Sequence, residues 1–525
     1  MAEPKPFYIT TPIYYVNDAP HIGHAYTTLA CDVLARFKRL DGYKVKFLTG
    51  TDEHGQKVEK AAADAGVPPQ EFVDKVSANF RHLAEVMGFT NTDFIRTTDP
   101  DHNKAVEELW RVLKEKDEIY LGNYAGWYSV RDEAFYGEGE LTDGEGGKKL
   151  APTGAEVEWV EEPSYFFRLS NWRERLLEHY EKHPDFVQPQ SRMNEVKSFV
   201  KGEGEGALRD LSVSRTSFKW GVPVPDDPDH VMYVWIDALT NYLTATGYPD
   251  MEGAEFKAFW PADLHMVGKD ILRFHTVYWP AFLMAAGIEV PKRVFAHGWW
   301  TNEGEKISKS IGNVIDPFEL IETYSLDPVR FFLLREVPFG KDGDFSHGAL
   351  IGRMNSELAN DLGNLAQRAL SMIHKNCDAK MPEHGEFTDA DNNLLDTAAN
   401  LITMLRAEMD NQAFHDALEA IWVVIRMANK YVDDQAPWAL KKTDPPRMAT
   451  VLYTLAETIR HIAILLQPFM PGSMAQMLDQ LAVPEDARDF AHLGVDHALK
   501  PGTPLPKPEG VFPRFVEEEG EERAK

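Results

Sequence analysis

The sequence predicts an α/β protein in which a parallel sheet, interrupted by an inserted domain, is followed by an all-α helical bundle. Strand-like and helix-like runs alternate up to about residue 115 and again over 231–325, a pattern typical of βαβ units. Between them, residues 116–230 are richer in Gly, Glu and aromatic residues, which indicates an insertion of mixed structure. After residue 326 the apolar residues follow helical spacing without convincing strands.

The first βαβ unit opens with Phe7–Thr11, a run of aromatic and β-branched residues that predicts a strand. Turn residues follow up to Pro20, which suits the first position of a helix. The helix is predicted by apolar residues that recur every four positions, namely Ala25, Leu29, Val33 and Phe37. A strand, a turn and a helix N-terminus therefore succeed one another at the start of the chain.

His21, Gly23 and His24 fall in the first turn of that predicted helix. Unpaired backbone N–H groups and the positive end of the helix dipole favour phosphate oxygens there, and Gly23 has no side chain to keep a nucleotide away from the backbone. The alternative, for either histidine alone, is a surface residue that happens to open a helix. The spacing of the two histidines indicates a phosphate-binding helix start.

A second motif, Lys306–Ser310, lies between Gly304 and Gly312 in a polar stretch with no helical or strand period. This predicts a mobile loop. Two lysines on such a loop can close over the β- and γ-phosphates of a nucleoside triphosphate and supply charge as pyrophosphate departs. The alternative is a solvated lysine loop.

The later part of the chain is predicted to be a bundle whose helices bury apolar faces. The residues that mark these faces are Leu394, Leu401 and Leu405, then Ala417, Ile421 and Ile425, then Leu452, Ile459, Ile462 and Leu466. The proline-rich segment Pro501–Pro513 is unsuited to a helix and is expected to run back over the body in extended form.

Composition narrows the class of protein further. The chain has 525 residues, 43% hydrophobic and 26% charged, which is ordinary for a soluble globular protein. Its first residues lack a basic region followed by an apolar one, and no segment reaches eighteen apolar residues, so we expect a cytoplasmic protein without a membrane span. The net charge of −28 argues against a generally basic nucleic-acid binder, so any such contact is expected to be local.

These motifs resemble those of the class I aminoacyl-tRNA synthetases, and within them the methionyl-tRNA synthetase family. The resemblance runs from about Phe7 to Pro513 and includes more specific segments. They are Phe47–Gly55, Tyr233–Ala238, Gly268–Ile271, Asn364–Arg368 and Asp434–Trp438. The resemblance implies a Rossmann-type parallel-sheet catalytic domain with an inserted connective domain, followed by an all-α helical-bundle anticodon-binding domain.

It also implies a division of the chain. The expected parts are 1–115, the first half of the catalytic domain; 116–230, the connective insertion; 231–325, the second half with the lysine loop; 326–370, a stem-contact region; 371–500, the anticodon-binding bundle; and 501–525, an extended tail. The implied reaction activates L-methionine with ATP and Mg²⁺ to methionyl-adenylate and pyrophosphate. Methionine then passes to the 2′-hydroxyl of the terminal adenosine of tRNA(Met), initiator and elongator alike.

The resemblance assigns roles to residues of this sequence. The catalytic residues are His21, His24, Lys306 and Lys309, and the ATP site also includes Gly23, Gly268, Asp270 and Ser308. The methionine site comprises Ile13, Tyr15, Asp52, Arg215, Trp235, Tyr242, Ile271 and His275, and the anticodon residues are Asn364, Arg368 and Trp438. Of the methionine residues, Trp235 and Tyr242 are expected to lie seven residues apart across a strand-to-helix turn.

The chemistry of these residues is compatible with the assigned roles. In-line attack of a carboxylate on the α-phosphate needs positioning and charge more than a protein nucleophile. Asp52 suits an ammonium group, with Arg215 expected near that carboxylate. Apolar walls suit a thioether, whose sulfur hydroxyl or imidazole donors can meet. An indole can stack on an unpaired base.

The same residues are also compatible with purely structural roles. Asp52 and Arg215 can form an ion pair that only supports the fold, and each aromatic residue of the methionine set can belong to an ordinary core. Asn364, Arg368 and Trp438 can likewise be ordinary bundle contacts.

The sequence also departs from the family pattern. Many relatives carry C-x-x-C knuckles in the insertion, whereas Cys31 and Cys377 are the two cysteines of this chain, so no structural zinc and no protein metal site are expected. Leu239 and Thr27 replace a proline and an acidic residue of some relatives, which affects the shape of the pocket. No dimerising module is expected after Pro513, which favours a monomer.

Three functions are compatible with the sequence alone. The favoured one is a methionine–tRNA ligase, and its alternative from another class is a noncatalytic tRNA-binding or scaffold protein that retains the synthetase fold. A different class I synthetase or a small nucleotidylyltransferase is the enzyme alternative, although the length of the chain and the bundle disfavour the nucleotidylyltransferase.

Overall fold

A computed structural model describes residues 3–16, 19–202, 207–307 and 313–516. The chain forms two compact units. Residues 6–31 and 45–298 make up the sheet unit, and residues 1–5, 32–44 and 299–525 make up the bundle unit.

The described strands of the sheet unit and the bundle unit follow in chain order. They are β1 (Pro6–Thr10), β2 (Tyr14–Tyr15), β3 (Lys44–Asp52), β4 (Asp93–Arg96), β5 (Ile119–Ser129), β6 (Ala134–Tyr136), β7 (Thr142–Asp143), β8 (Lys149–Leu150), β9 (Glu156–Phe167), β10 (Val187–Gln188), β11 (Leu211–Ser212), β12 (Ser214–Arg215), β13 (Pro223–Val224), β14 (Asp227–Met232), β15 (Leu264–Gly268), β16 (Val294–His297), β17 (Trp300–Asn302), β18 (Glu305–Lys306) and β19 (Gly343–Phe345).

The described α-helices are numbered in the same way. They are α1 (Ile22–Leu40), α2 (Gln56–Asp64), α3 (Pro69–Val86), α4 (Pro100–Glu115), α5 (Arg173–Lys182), α6 (Gln190–Lys201), α7 (Val234–Thr244), α8 (Ala254–Phe259), α9 (Trp279–Ala286), α10 (Pro317–Tyr324), α11 (Leu326–Arg335), α12 (His347–Arg353), α13 (Asn364–Asn376), α14 (Asp389–Asp410), α15 (Phe414–Gln435), α16 (Pro437–Thr443), α17 (Pro445–Leu466) and α18 (Pro471–Gln480).

The main sheet of the sheet unit confirms the predicted α/β class. Its strand order is β10–β16–β15–β1–β3, and β3 also pairs with β2 and β4. The pairs β10–β16, β16–β15, β15–β1, β3–β2 and β3–β4 are parallel. β3 is buried from its second residue to its last, as expected of a central strand covered on both faces.

The region predicted as an insertion forms antiparallel structure. β5 and β9 pair along ten residues, from Ile119 with Phe167 to Tyr128 with Glu158. β6, β8, β7 and β11 extend this sheet, and β12–β14–β13 forms a smaller one. The same region also supplies β10, the edge strand of the main parallel sheet, which at two residues is too short to be recognised from a sequence pattern.

The bundle unit is largely helical, as predicted. Helix α14 starts with a capping box, in which the Thr388 backbone N–H donates to Asp391 Oδ2 at 2.8 Å. Helix α17 is the one described helix with the length and apolar content of a membrane span, but 94% of that stretch is buried in the protein. Such burial is what the central helix of a bundle requires, so α17 is weak evidence for a membrane.

Two details of the bundle unit correct the sequence prediction. The chain after residue 326 does contain a strand, β19, which pairs in parallel with β17. Lys306, predicted to lie in a loop, is the last residue of β18, which forms a hairpin with β17. Polar hairpin residues carry little period, so the strand was not recognisable.

The described part of the proline-rich tail, residues 501–516, contains no helix, and the extended tail expected over 501–525 stays a prediction. Its Leu505 backbone N–H donates to the Ala379 carbonyl at 2.8 Å. Further along, the Phe515 backbone N–H donates to Asn355 Oδ1 at 2.9 Å. The tail therefore crosses other parts of the bundle unit as a strap without helical structure in its described residues beyond 501.

Candidate active site

The main sheet brings the candidate residues of the sheet unit to one edge. Strands β1, β3, β15 and β16 end at Thr10, Asp52, Gly268 and His297. The register pairs Gly268 with His297, and neighbouring β2 pairs Tyr15 with Asp52. Because parallel strands share a direction, these side chains lie at the carboxyl edge of the sheet, where ligands of open α/β sheets bind.

Helix α1 begins at Ile22, so Pro20 and His21 precede it rather than occupying its first turn. The His21 and His24 imidazoles instead cap the helix reciprocally. Gly23 N–H donates to His21 Nδ1, and His21 N–H donates to His24 Nδ1, both at 3.1 Å. Two of the otherwise unpaired N–H groups at this helix end are thereby satisfied.

This capping fixes the tautomer of both rings. Each Nδ1 accepts a backbone N–H, so in the neutral imidazole the proton is on Nε2. Burial lowers the pKa of His21, and burial together with His21 lowers that of His24 well below its usual range, so both rings are neutral near pH 7. A Cβ at Gly23 would lie 2.9 Å from His21 Cε1, which explains the glycine. The helix start therefore offers two Nε2–H donors.

Asp52 is a buried carboxyl group with an unused oxygen. It ends β3 with 7% of the residue exposed, and its Oδ1 has no hydrogen-bond partner among the described residues. Burial, followed by the negative charges of Asp237 and Glu133, raises the pKa of Asp52 well above its usual range. A buried acceptor without a partner is costly unless a ligand completes it.

The ion-pair partner of Arg215 is Glu162 rather than Asp52, which disfavours the alternative of a structural Asp52–Arg215 ion pair, while the expected place of Arg215 near Asp52 stays a prediction. Its guanidinium forms a buried ion pair with Glu162 of β9 and donates to Ser217 Oγ at 3.0 Å. It also lies over the Tyr128 ring at 4.0 Å. Glu162 lies beside β12 in the insertion, so a local partner takes the arginine, and Nη1 has no partner among the described residues.

Tyr15 lies between the loop after Asp52 and the insertion. Its hydroxyl oxygen is 2.9 Å from the His54 carbonyl oxygen and 2.5 Å from Glu133 Oε1. The ring is partly exposed and packs against the core cluster, together with Ile13. The predicted methionine residue Tyr15 is thus close to Asp52 and to the loop that follows it.

The remaining apolar and aromatic residues of the predicted methionine site lie on and after helix α7 and pack near one another. Trp235 and Tyr242 both lie on α7, seven residues apart on one face, which corrects the predicted strand-to-helix turn between them. The Trp235 ring is 6.3 Å from that of His275, and its Nε1 has no partner among the described residues. Ile271 is partly buried against the same core cluster.

The hydrogen bonds of His275 and Tyr242 are directed at each other. His275 Nδ1 is 2.9 Å from the Ile271 carbonyl oxygen, to which it must donate, so its Nε2 accepts from the Tyr242 hydroxyl at 2.7 Å. Burial lowers the pKa of His275 to about 4, so the ring is neutral. The sequence had suggested a hydroxyl or imidazole donor for a thioether sulfur, but in this arrangement both donors are already used.

A buried His–Asp–His arrangement, which the sequence analysis missed, supports the loop that follows Asp52. Asp237 Oδ2 bonds His54 Nδ1 at 2.6 Å, and its Oδ1 bonds His102 Nε2 at 2.8 Å. Burial raises the pKa of Asp237, but the two histidines outweigh it and bring that pKa to about 2. His54 and Asp237 do lie within two of the family-like segments, Phe47–Gly55 and Tyr233–Ala238. No spacing rule, however, could reveal that these two segments are close in space.

His297 is a further residue that the sequence analysis missed. It ends β16, its Nδ1 lies 2.8 Å from the Gly298 carbonyl oxygen, and its Nε2 lies 2.7 Å from the Thr27 hydroxyl, which also lies 3.1 Å from the Gly23 carbonyl oxygen. Thr27 is one of the noted departures from the family. Asp270, an exposed residue beyond Gly268, acts to raise the pKa of both His21 and His297 and thus lies near them.

The lysine motif belongs to the bundle unit. Lys306 ends β18, and Ser308 and Lys309 lie outside the described residues. The convergence of these residues with His21 and His24 therefore stays a prediction. Among the described residues there is no group of three or more His, Cys, Asp or Glu side chains arranged to hold a metal ion.

The predicted anticodon residues occur together on the surface of the bundle unit. Asn364 and Arg368 lie one turn apart on α13, and Asn364 is exposed. The Arg368 guanidinium is 5.5 Å from the centre of the Trp438 ring and donates to Asp433 at 3.1 Å. Trp438, near the start of α16, is 48% exposed. An exposed indole beside an arginine is unusual for a bundle core, so this cluster differs from an ordinary packing contact.

Comparison with known proteins covers nearly the whole chain. A family model described as tRNA synthetases class I (M) matches residues 7–370, and one described as the anticodon binding domain of methionyl tRNA ligase matches residues 381–525. The methionine–tRNA ligase of Mesorhizobium japonicum is 59% identical over 514 residues, which are 98% of each chain.

Solved structures agree with the sequence matches. Mycobacterium tuberculosis methionyl-tRNA synthetase in complex with methionyl-adenylate superposes with a TM-score of 0.94 at 55% identity, covering 97% of this chain and 100% of that one. The apo form of that protein gives a TM-score of 0.89 at 52% identity, covering 98% and 99%.

Proposed function

Because the chain belongs to the methionine–tRNA ligase family of class I tRNA synthetases and so is an enzyme that joins methionine to tRNA, we propose which of its residues perform the reaction. The alternative of a noncatalytic scaffold has no support in these comparisons. The observation that carries the proposal is Asp52 Oδ1, a buried oxygen at the ligand-binding edge of the sheet with no partner among the described residues.

Asp52 is proposed to bind the α-ammonium group of methionine. An ammonium group supplies the donor that Oδ1 lacks, and its charge favours the ionised carboxylate that burial otherwise disfavours. Arg215 Nη1, also buried and without a partner among the described residues, can donate to a negative group of the substrate. The two charged ends of the amino acid would then be held by residues of different strands, β3 and β12.

The methionine side chain is proposed to lie among Ile13, Tyr15, Trp235, Tyr242 and Ile271. These residues are apolar or aromatic, and four of them are partly exposed beside the core that contains Tyr242. An unbranched, polarizable thioether suits such walls. His275 is proposed to orient the Tyr242 ring through its hydrogen bond rather than to meet the sulfur itself.

ATP is proposed to lie at the start of α1. The Nε2–H groups of His21 and His24 donate to phosphate oxygens, and Gly23, Gly268 and Asp270 shape the nucleotide site. Lys306 and Lys309, with Ser308, are proposed to stabilise the departing pyrophosphate. The methionine carboxylate attacks the α-phosphate in line and methionyl-adenylate forms; the charge stabilisation comes from preorganised donors.

Mg²⁺ is proposed to arrive with the phosphates of ATP. The described residues provide no metal cage, and Mg²⁺ bound to nucleotides commonly keeps few protein ligands. The ion would supply charge neutralisation. No structural zinc is proposed, because the insertion contains no cysteine.

The second step is proposed to transfer methionine to the 2′-hydroxyl of the terminal adenosine of tRNA(Met), initiator and elongator. Asn364, Arg368 and Trp438 would read the anticodon, with the exposed indole as a stacking platform. Local recognition of this kind is compatible with the net charge of −28. We further propose that the protein is a monomer, since one chain supplies all residues assigned to the reaction, and that it acts in the cytoplasm.

Amino-acid-dependent ATP–pyrophosphate exchange tests the proposal. Among the twenty standard amino acids, methionine alone is expected to support rapid exchange, and charging of tRNA(Met) is expected to follow. Exchange with another amino acid at a comparable rate, or charging without methionine-dependent exchange, would contradict it.

A further inference from the structure

Glu133 belongs to the antiparallel insertion, yet its side chain reaches the candidate methionine site. It lies between β5 and β6 and is 4% exposed. Its backbone adopts φ +48°, which is uncommon for a residue with a side chain. The Tyr233 hydroxyl donates to the Glu133 carbonyl at 2.6 Å and holds that conformation. Backbone strain that neighbours enforce in this way often accompanies a functional placement.

The loop after Asp52 is shaped around the contact between Glu133 and Tyr15. Gly55 in that loop has φ +107°, and a Cβ on it would lie 2.6 Å from Tyr15 Oη and 2.7 Å from Glu133 Oε1. A side chain there would displace one of the two groups. The carboxyl group of Glu133 is therefore packed directly against the segment that follows Asp52.

The number of hydrogen atoms available for the contacts of Tyr15 indicates which protonation state of Glu133 satisfies them. Tyr15 Oη is within hydrogen-bond distance of two oxygens, the His54 carbonyl at 2.9 Å and Glu133 Oε1 at 2.5 Å. A carbonyl and an ionised carboxylate both only accept, and the hydroxyl has one proton to share between them. With Glu133 ionised, one of these two buried contacts has no hydrogen.

A proton on Glu133 resolves the shortage. The acid then donates to Tyr15 Oη, and the Tyr15 hydroxyl donates to the His54 carbonyl, so each of these contacts has a hydrogen. The weaker contact from the Lys57 backbone N–H to Oε1, at 3.3 Å, is compatible with this arrangement. Burial raises the pKa of Glu133 to about 7, although Tyr15 and Lys57 act to lower it, so the protonated form is accessible near neutral pH.

We propose that Glu133 is a positioning residue of the methionine site that acts as a neutral acid, donating to Tyr15 Oη and so holding the Tyr15 ring against the loop that follows Asp52. The proposal rests on the proposed function in one respect, the membership of Tyr15 and Asp52 in that site. A neutral Glu133 also leaves Asp52 as the acceptor of the ammonium group without a second negative charge from Glu133 beside it.

The ionisation of Glu133 depends on several neighbours. The titratable and charged groups that act on it or feel its charge are Tyr15, Asp52, Lys57, Tyr128, Arg215 and Tyr233. Variants of these groups would change more than one charge, so the test substitutes Glu133 itself.

Two substitutions separate a neutral donor from an anionic acceptor. In Glu133→Gln the amide Nε2 donates to Tyr15 Oη as the acid does, so the methionine KM in pyrophosphate exchange is expected to stay within about threefold of wild type. In Glu133→Ala that donor is lost, and the methionine KM is expected to rise about tenfold with an unchanged ATP KM. Equal increases in both variants would overturn the proposal.

A double-mutant cycle with Tyr15→Phe locates the effect. Without the hydroxyl, replacement of Glu133 by Ala is expected to add less than about twofold to the methionine KM, because the interaction is already lost. A full tenfold effect in the Tyr15→Phe background would show that Glu133 acts elsewhere and would contradict the proposal.

Infrared difference spectra observe the proton directly, even if the Ala variant folds poorly. The spectrum of wild type minus Glu133→Gln is expected to contain the C=O stretching band of a protonated carboxylic acid about one unit below pH 7 and to lose it about one unit or more above, as a pKa of about 7 requires. A band absent at the lower pH would overturn the proposal.

The methionine site itself is checked separately with Asp52→Asn. If that change leaves the methionine KM unaltered, the proposed function is wrong at this site while the infrared result still decides the state of Glu133. If Asp52→Asn raises the methionine KM but the Gln and Ala variants of Glu133 are equivalent, the further inference alone fails.

Discussion

Replacement of Asp52 by Asn is the perturbation whose effect follows most directly from the structure. The amide preserves shape and removes the negative charge that is proposed to meet the methionine ammonium group. At about 4 Å and an effective dielectric constant near 20, two unit charges attract by about 4 kcal/mol. Part of that attraction is used to ionise Asp52, since burial and nearby carboxyl groups raise its pKa. A net loss of about 3 kcal/mol remains, which is about 10²-fold in methionine affinity.

The assay is ATP–pyrophosphate exchange with separate titrations of methionine and ATP. The methionine KM of Asp52→Asn is expected to rise about 10²-fold while the ATP KM stays within about threefold. The matched control is Asp93→Asn. Asp93 is the first residue of β4, where it pairs in register with Leu48, so it lies away from the carboxyl edge of the sheet. Its carboxylate forms an ion pair with Lys46, with an N–O distance of 3.1 Å. The control is expected to leave both constants unchanged.

The pH dependence of the same variant has a defined sign. Asp52 must lose its proton to pair with an ammonium group, so the methionine KM of the wild type is expected to rise as pH falls through the raised pKa of Asp52. The folded state binds that proton more tightly than the unfolded state, so the carboxyl group destabilises the fold as pH rises above the unfolded pKa. Asp52→Asn is therefore expected to lose the pH dependence and to unfold no more easily. An unchanged methionine KM in Asp52→Asn would refute the reasoning. A loss of stability with equal increases in the methionine KM and the ATP KM would refute it as well.

Three further outcomes are expected. In His21→Asn the amide oxygen can replace Nδ1 as the helix cap, but the shorter side chain places no N–H donor at the position of Nε2. The kcat for pyrophosphate exchange should therefore fall about 10²- to 10³-fold with an unchanged melting temperature, and a matched loss of stability would contradict the donor role. Trp438→Ala should impair tRNA charging while pyrophosphate exchange survives. The control Val423→Ala should change neither reaction; the Val423 side chain is 44% exposed, comparable to 48% for Trp438. Equal loss of both reactions in Trp438→Ala would count against the anticodon assignment. The pKa of Asp237 is depressed to about 2, so the ionised carboxylate should stabilise the fold above about pH 4 and lose this effect toward pH 2. The unfolding free energy of the wild type relative to Asp237→Asn should fall by about 2 kcal/mol over that range. A difference that stays constant with pH would refute this prediction.

The parts of the fold that the sequence predicted correctly are those set by local pattern. The helix after His21 follows from apolar residues every four positions, and the bundle helices follow from the same period. The candidate residues Asp52 and Gly268 could be placed at one sheet edge because each ends a strand-like run. The Rossmann-type arrangement follows from alternation of such elements rather than from any single residue.

The errors have physical causes. Trp235 was expected near a strand because Tyr233–Ile236 is rich in aromatic and β-branched residues, whereas α7 starts at Val234 and buries most of its surface, so tertiary packing outweighed the local preference. A structural ion pair between Arg215 and Asp52 was one alternative, but the antiparallel pairing of the insertion supplies Glu162 as the ion-pair partner of Arg215.

The contacts that the sequence could not reveal join distant segments. Tyr15 and Glu133 are separated by 118 residues, and His54 and Asp237 by 183. Neither pair has a spacing signature, since the chain between them forms complete elements of its own. The residues that support the candidate site could therefore be identified only from the structure. Several of the groups proposed to contact substrate could be identified from the sequence motifs.

A crystal structure with a nonhydrolysable methionyl-adenylate analogue tests the central claim most directly. We expect the ammonium group within hydrogen-bond distance of Asp52 Oδ1, the thioether against Trp235 and Tyr242, and the phosphate facing the Nε2 atoms of His21 and His24. An analogue bound with Asp52 Oδ1 still unpartnered, or with its phosphate away from the start of α1, would contradict the proposed site.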